Sequence, residues 1–158
     1  MIVVHEWWGL NDYARSRAKQ LADEGCAAIA VDMYGHGKIA EHPQDATAFM
    51  NAALAEPDKM NARFNAAKDE LLAQKGVERV FAIGYCFGGA VILNQARRGN
   101  DLTGVASFHG ALAAQSPAQK GMIKARVLLA TGGADPMVPL QQVGELVAEM
   151  VWPASTSR

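Results

Sequence analysis

The chain has 158 residues, a formal net charge of −1 and a hydrophobic fraction of 50%. These values exclude a disordered protein, and the length is sufficient for one domain with its own core. The near-neutral charge gives no attraction to nucleic acid or anionic lipid, and no apolar run approaches the roughly 20 residues of a membrane helix. We therefore expect a globular domain with neither nucleic acid nor membrane as a partner.

Short apolar runs alternate with helical patterns along the whole chain. The runs predict strands over 1–5, 27–32, 80–84, 104–108 and 127–131, and the patterns predict helices over 11–24, 44–54, 58–74, 88–97 and 140–150. Asn11 and Asp58 are predicted N-caps, and Gly25 and Gly76 stand at predicted helix C-termini. Because the strands are almost continuously apolar, we expect an α/β fold with a mostly parallel sheet flanked by helices on both faces.

Chemically reactive or aromatic side chains follow every predicted strand. Since ligands bind beyond the carboxyl ends of parallel strands, these positions are candidates for a site. They are Glu6, Trp7 and Trp8 after the first strand, Tyr34 after the second, Tyr85 and Cys86 after the third, His109 after the fourth and Asp135 after the fifth.

The run GYCFGG, which begins at Gly84, has the G-x-Nu-x-G pattern of a nucleophile elbow between a strand and a helix. The turn is sharp, and Gly84 and Gly88 would remove side chains that collide with the adjoining strand and helix. Gly89 would allow still closer packing. The pattern therefore predicts that Cys86 is a nucleophile held in a strained backbone conformation.

The helix that follows the elbow adds an electrostatic argument. Its N-terminus supplies positive potential, which is expected to lower the pKa of the Cys86 thiol, and the amide of Phe87 would face a developing oxyanion. The alternative interpretation is a buried cysteine that packs as a small hydrophobic residue. For Cys26, at the entry of the second strand, we expect a structural role.

Asp135 follows the last predicted strand in a glycine-rich turn, which is the position of the acid in a triad of this order. The alternative is an aspartate that only stabilises its turn. The four histidines are His5, His36, His42 and His109, so none follows Asp135 as that order requires. We expect His109 to line the pocket rather than act as the base, and His36 and His42 to be solvated.

Five separated motifs, VVHEWWGLNDYAR, AVDMYGHGK, GYCFGG, SFHG and GGADPMVP, together resemble the dienelactone hydrolase family of α/β-hydrolases. The resemblance implies ester or lactone hydrolysis by Cys86, with Asp135 as the triad acid. It also implies that Glu6 interacts with the resting thiol and is displaced when substrate triggers thiolate formation. The amides of Phe87 and Trp7 match the family's two oxyanion donors.

The chain departs from the family in three ways. The histidine segment and the first strand or strands of the family are absent, and the arginines that hold a dienelactone carboxylate have no clear match. We therefore expect a truncated member whose partial domain spans 1–150 and whose non-periodic tail spans 151–158. The remaining pocket candidates are Trp8, Tyr34, Tyr85 and His109.

The expected function is hydrolysis of a small ester or lactone, with negligible turnover by this chain. The alternative is a catalytically impaired fragment or a non-catalytic binding or oligomerisation module of the same fold.

We expect no metal and no cofactor, because no cluster has ligand spacing. Two cysteines form no disulfide framework, which fits a cytoplasmic protein, although a missing natural N-terminus would leave export open. The oligomeric state is not indicated.

Overall fold

The computed structural model describes residues 1–114 and 116–150. Strands and helices alternate as the sequence predicts, and the described residues between the fourth and fifth strands contain neither. The elements are β1 (Ile2–Val4), α1 (Asp12–Asp23), β2 (Ile29–Val31), α2 (Pro43–Leu54), α3 (Pro57–Leu72), β3 (Phe81–Tyr85), α4 (Phe87–Arg97), β4 (Gly104–Phe108), β5 (Arg126–Ala130) and α5 (Leu140–Met150).

The strands form one sheet in the order β2-β1-β3-β4-β5, and every neighbouring pair is parallel. The predicted α/β class with a parallel sheet is confirmed. The chain runs from β1 outward to β2 and then returns across β1 to β3, so the direction of winding reverses between β1 and β3. In such sheets the crevice at the carboxyl ends of these two strands is the usual ligand site.

Crossovers between parallel strands are right-handed, which places α1 on one face of the sheet and α2, α3 and α4 on the other. Helix α4 packs against β1, β3 and β4, and α1 packs against β1 and β2. The core lies between these layers. Its largest fully buried apolar side chains are Phe64, Ile2, Met33, Ile92, Leu93, Leu112 and Leu146.

The last strand differs from the expectation that both faces of the sheet are covered. Val127 and Leu129 of β5 pack against the core, whereas Leu128 between them is 55% exposed. Alternate residues of a strand point to opposite faces, so one face of β5 is covered and the other is open. The apolar run alone could not predict this exposure, because it does not show that β5 lies at the edge of the sheet.

Two of the four predicted helix-boundary residues have the predicted roles. Asn11 caps α1, where its Oδ1 accepts a hydrogen bond from the amide of Ala14 at 3.2 Å, and Gly25 follows that helix with φ 86°. Asp58 is not an N-cap, because α3 begins one residue earlier at a proline and Asp58 lies in its first turn. Gly76 lies in a turn beyond the end of α3 rather than at its cap.

None of the helices in the described part of the chain is both long enough and apolar enough to cross a bilayer. The predicted tail at 151–158 lies outside the described residues.

Candidate active site

Cys86 lies at the bend between β3 and α4, at the topological reversal of the sheet. Its backbone has φ 52° and ψ −116°, which is a conformation that non-glycine residues rarely adopt. Its amide donates to the carbonyl of Phe108 at 3.0 Å, which fixes the bend against β4. The side chain is half-buried. The predicted strained backbone at the elbow is therefore confirmed.

Glycines at the elbow permit backbone approaches that a methyl group would prevent. A Cβ at Gly84 would lie 2.2 Å from the carbonyl oxygen of Gly88. A Cβ at Gly88 would lie 2.4 Å from the carbonyl oxygen of Val4 and 2.6 Å from that of His5. Gly88 thus lets α4 approach the end of β1, and this approach brings the elbow next to the loop that follows β1.

Backbone amides that follow two different strands act on the Cys86 thiol. One belongs to Phe87, the first residue of α4, and the other belongs to Trp7, in the loop after β1. Each of these N–H groups interacts with the sulfur and lowers its pKa. The structure therefore brings together Cys86, the predicted nucleophile, and the Phe87 and Trp7 amides, the predicted oxyanion donors.

The expectation of a lowered thiol pKa is wrong for this resting arrangement. Burial of Cys86 is the largest influence and raises the pKa, and the negative charges of Glu6 and Asp135 raise it further. The two amides oppose these influences but do not outweigh them. The thiol is consequently a weaker acid than a free cysteine. Burial removes water that would stabilise the thiolate, and the two nearby carboxylates repel its negative charge.

Two carboxylates act on the Cys86 thiol, and His109 lies beside one of them. Glu6 Oε1 lies 3.6 Å from Nε2 of His109, a residue with φ 42° that directly follows β4. Asp135 Oδ1 accepts a hydrogen bond from the Met137 amide at 2.8 Å, so this carboxylate also stabilises its own turn. His109 therefore faces Glu6, and Asp135 is close enough to Cys86 to influence its ionisation.

The aromatic candidates have different positions. Tyr34 is buried, and its hydroxyl donates to the carbonyl of Trp7 at 2.8 Å, so it supports the β1 loop instead of offering a free hydroxyl. Tyr85 stacks on Phe108 with ring centroids 5.2 Å apart and is half-buried. Trp8 packs edge-on against Trp7 at 5.1 Å.

The remaining cysteine and histidines lie apart from the elbow. Cys26 is exposed between α1 and β2, so it does not pack in the core. His36 and His42 are exposed, as expected for solvated side chains.

His5 also lies in this neighbourhood, although it is not among the site residues predicted from the sequence. Its side chain is 1% exposed, and its Nδ1 lies 2.5 Å from the carbonyl oxygen of Glu6. Its Nε2 accepts a hydrogen bond from the Met33 amide at 3.1 Å. The available signal was a histidine at the end of an otherwise apolar buried strand, where an unpaired polar ring would be costly.

Replacing Glu6 with glutamine is expected to lower the pKa of Cys86, because the substitution removes a negative charge that raises it. The midpoint of the pH profile for alkylation by iodoacetamide should therefore move to lower pH. Asp135→Asn is the matched comparison and should move the midpoint less, since Asp135 contributes less than Glu6. Both are measured with Cys26→Ser in place, because Cys26 is exposed. An unchanged or higher midpoint in Glu6→Gln would contradict this electrostatic assignment.

Comparisons with known proteins bear on this site. The profile of the dienelactone hydrolase family matches residues 1–155. The structure is similar to m3DLH, with a TM-score of 0.84, 37% identity and coverage of 94% of this chain and 62% of that one. It is also similar to the dienelactone hydrolase-like promiscuous phosphotriesterase P91 from metagenomic libraries, with a TM-score of 0.81, 36% identity and coverage of 94% and 63%.

Among curated proteins, Protein usf of Aquifex pyrophilus is 36% identical over 109 residues, which cover 65% of this chain and 46% of that protein. The chain therefore spans about half of this curated relative and about three-fifths of the two solved structures.

Proposed function

This chain belongs to the dienelactone hydrolase family, a family of hydrolases, and on that premise we propose that it cleaves a small carboxylic ester or lactone through Cys86. The observation that carries the proposal is the strained backbone of Cys86 at the bend between β3 and α4, where the Phe87 and Trp7 amides act on the thiol. A carbonyl oxygen bound between those amides would place its carbon beside the sulfur.

In the proposed reaction the Cys86 thiolate attacks the carbonyl carbon and forms a C–S bond. The carbonyl π electrons move to oxygen, and the two amides stabilise the resulting negative charge. Collapse of the tetrahedral intermediate breaks the bond to the ester oxygen, which leaves as an alkoxide and takes up a proton. The product is a thioester on Cys86, which water must then cleave.

The raised pKa of Cys86 supports a resting state in which the thiol keeps its proton. Glu6 is the acceptor proposed for that proton, because its charge acts on the sulfur and the family resemblance assigns it this contact. A thiol held protonated until substrate arrives is protected from oxidation, since thiolate is the form that oxidants attack. Asp135 is proposed as the triad acid, in the turn that follows β5.

Cleavage of the thioester requires a base that activates water. No histidine follows Asp135 within the 158 residues, and the exposed His109 faces Glu6. We therefore propose that this chain acylates readily and deacylates slowly, so that a thioester accumulates. The proposed partner is a small-molecule ester or lactone, with no cofactor. Dienelactone is not the substrate we favour, because its carboxylate has no clear arginine partner in the sequence.

The test is a burst assay with p-nitrophenyl acetate at several chain concentrations, in the Cys26→Ser background. The proposal expects one equivalent of p-nitrophenolate per chain, followed by slow release. Steady turnover at an undiminished rate would contradict slow deacylation, and no burst at all would favour the non-catalytic module. An aryl phosphotriester, the class named for P91, is assayed in parallel as a second electrophile.

A further inference from the structure

We propose that His5 is a positioning residue that holds the Glu6–Trp7 peptide so that its N–H points at the Cys86 sulfur and at the oxyanion formed there. This inference rests on the function proposed above and adds a residue to its machinery. His5 itself lies behind the site, since its side chain is 1% exposed.

One peptide unit connects His5 to the Cys86 sulfur. The carbonyl of Glu6 and the N–H of Trp7 belong to the same planar group and point in opposite directions. His5 Nδ1 lies 2.5 Å from that carbonyl oxygen, and the N–H on the other side interacts with Cys86. A hydrogen bond that fixes the carbonyl therefore fixes the direction of the donor.

The second nitrogen of the ring determines which tautomer is present. His5 Nε2 lies 3.1 Å from the Met33 amide, which can only donate, so Nε2 must accept and Nδ1 must carry the proton. Burial lowers the pKa of His5 and favours this neutral form. The ring thus links the loop after β2 to the peptide after β1 through one donor and one acceptor.

The same ring also contacts the other half of the oxyanion site. It stacks on Phe87 with ring centroids 5.8 Å apart, and it meets Tyr34 edge-on at 4.8 Å. Tyr34 in turn donates its hydroxyl to the carbonyl of Trp7 at 2.8 Å. The peptides on both sides of Trp7 are therefore held, one by His5 and one by Tyr34.

A matched pair of substitutions by amide side chains distinguishes positioning of the Trp7 N–H from a purely structural role of His5. The side-chain nitrogen of asparagine occupies the place of histidine Nδ1 and can donate to the Glu6 carbonyl. The terminal amide of glutamine instead occupies the place of Nε2, so it can bond to Met33 but not to Glu6. His5→Asn should therefore keep the donor direction, and His5→Gln should lose it.

The first measurement is the pH profile of Cys86 alkylation by iodoacetamide, in the Cys26→Ser background. His5→Gln should move the midpoint to higher pH, because the thiolate loses the Trp7 N–H, whereas His5→Asn should leave it in place. This measurement needs no ester chemistry, so it tests His5 even if the chain fails to acylate. Equal midpoints for both variants would overturn the proposal.

The second measurement is the burst rate with p-nitrophenyl acetate. His5→Gln should slow acylation by about tenfold to a hundredfold, as expected for misdirecting one oxyanion donor, and His5→Asn by less than about threefold. If His5 had a purely structural role, each variant would lose acylation rate in proportion to its loss of thermal stability. Absence of a burst in the unsubstituted chain would instead reject the proposed function.

A third measurement uses the unsubstituted chain and does not depend on the folding of any variant. Nitrogen-15 NMR of the His5 ring should show Nδ1 protonated and Nε2 unprotonated between about pH 6 and pH 9. The opposite tautomer would overturn the proposal, because Nδ1 could then not donate to the Glu6 carbonyl.

Discussion

Replacing Cys86 with alanine is expected to abolish the p-nitrophenolate burst, with a loss of at least about a thousandfold in the acylation rate. Alanine removes the atom that would form the covalent bond, while its small side chain fits the volume of the half-buried thiol. The amides of Phe87 and Trp7 would remain in place. They could still bind a carbonyl oxygen, but no nucleophile would stand beside its carbon.

The matched control is Cys26→Ala, since Cys26 is exposed and lies between α1 and β2, away from the elbow. This variant should retain the full burst. If Cys86→Ala kept a burst of one equivalent, another side chain would be the nucleophile. If Cys26→Ala lost it, the reaction of the wild-type chain would be surface acylation of an accessible thiol.

Replacing Gly88 with alanine is expected to destabilise the fold by at least about 3 kcal/mol, which is at the severe end of single substitutions. The new Cβ would lie 2.4 Å and 2.6 Å from two carbonyl oxygens at the end of β1. One of these oxygens belongs to Val4 in the buried central strand β1, and the other belongs to His5, which follows it. Neither oxygen can move unless the sheet or α4 also shifts. The melting temperature should fall by roughly 6–12 °C for a domain of this size.

Gly144→Ala provides the opposite control. Gly144 lies within α5, and a Cβ there meets nothing within 4 Å. Alanine has a better helix propensity than glycine, so this variant should be more stable by up to about 1 kcal/mol. Urea unfolding gives the free energy of unfolding of both variants, and so compares the same glycine-to-alanine change at a closely packed position and at an open one. A Gly88→Ala protein as stable as wild type would contradict the described approach of α4 to β1.

Much of the fold could be predicted because its signals are local. Continuous apolar strands that alternate with helical patterns indicate a parallel sheet, and the glycines beside Cys86 indicate an elbow. The open face of β5 could not be predicted in this way, because an apolar edge strand and an apolar central strand have the same composition. The cap of α3 was misplaced, since Pro57 is compatible with the first turn of a helix and shifts the start ahead of Asp58.

The positions of the candidate residues follow from the order of the strands, whereas the electrostatics of the candidate site does not. The order of residues along the chain was enough to predict that Glu6, Trp7 and Asp135 lie at the sheet edge that carries Cys86. The pKa of Cys86 depends instead on how the effects of burial and two carboxylates compare with those of two backbone amides. That comparison requires the depth of the sulfur and the distances between groups. His5 was not predicted for a similar reason, because its proposed role depends on which carbonyl its ring reaches.

Acylation of Cys86 is tested by the mass of the chain after brief exposure to p-nitrophenyl acetate, followed by peptide mapping at acidic pH, where thioesters survive. We expect one added acetyl group, on the peptide that contains Cys86, in the Cys26→Ser protein. We also expect hydroxylamine at neutral pH to remove this group. An unmodified Cys86 peptide, or acetyl groups spread over lysines and other surface residues, would show that Cys86 is not the nucleophile.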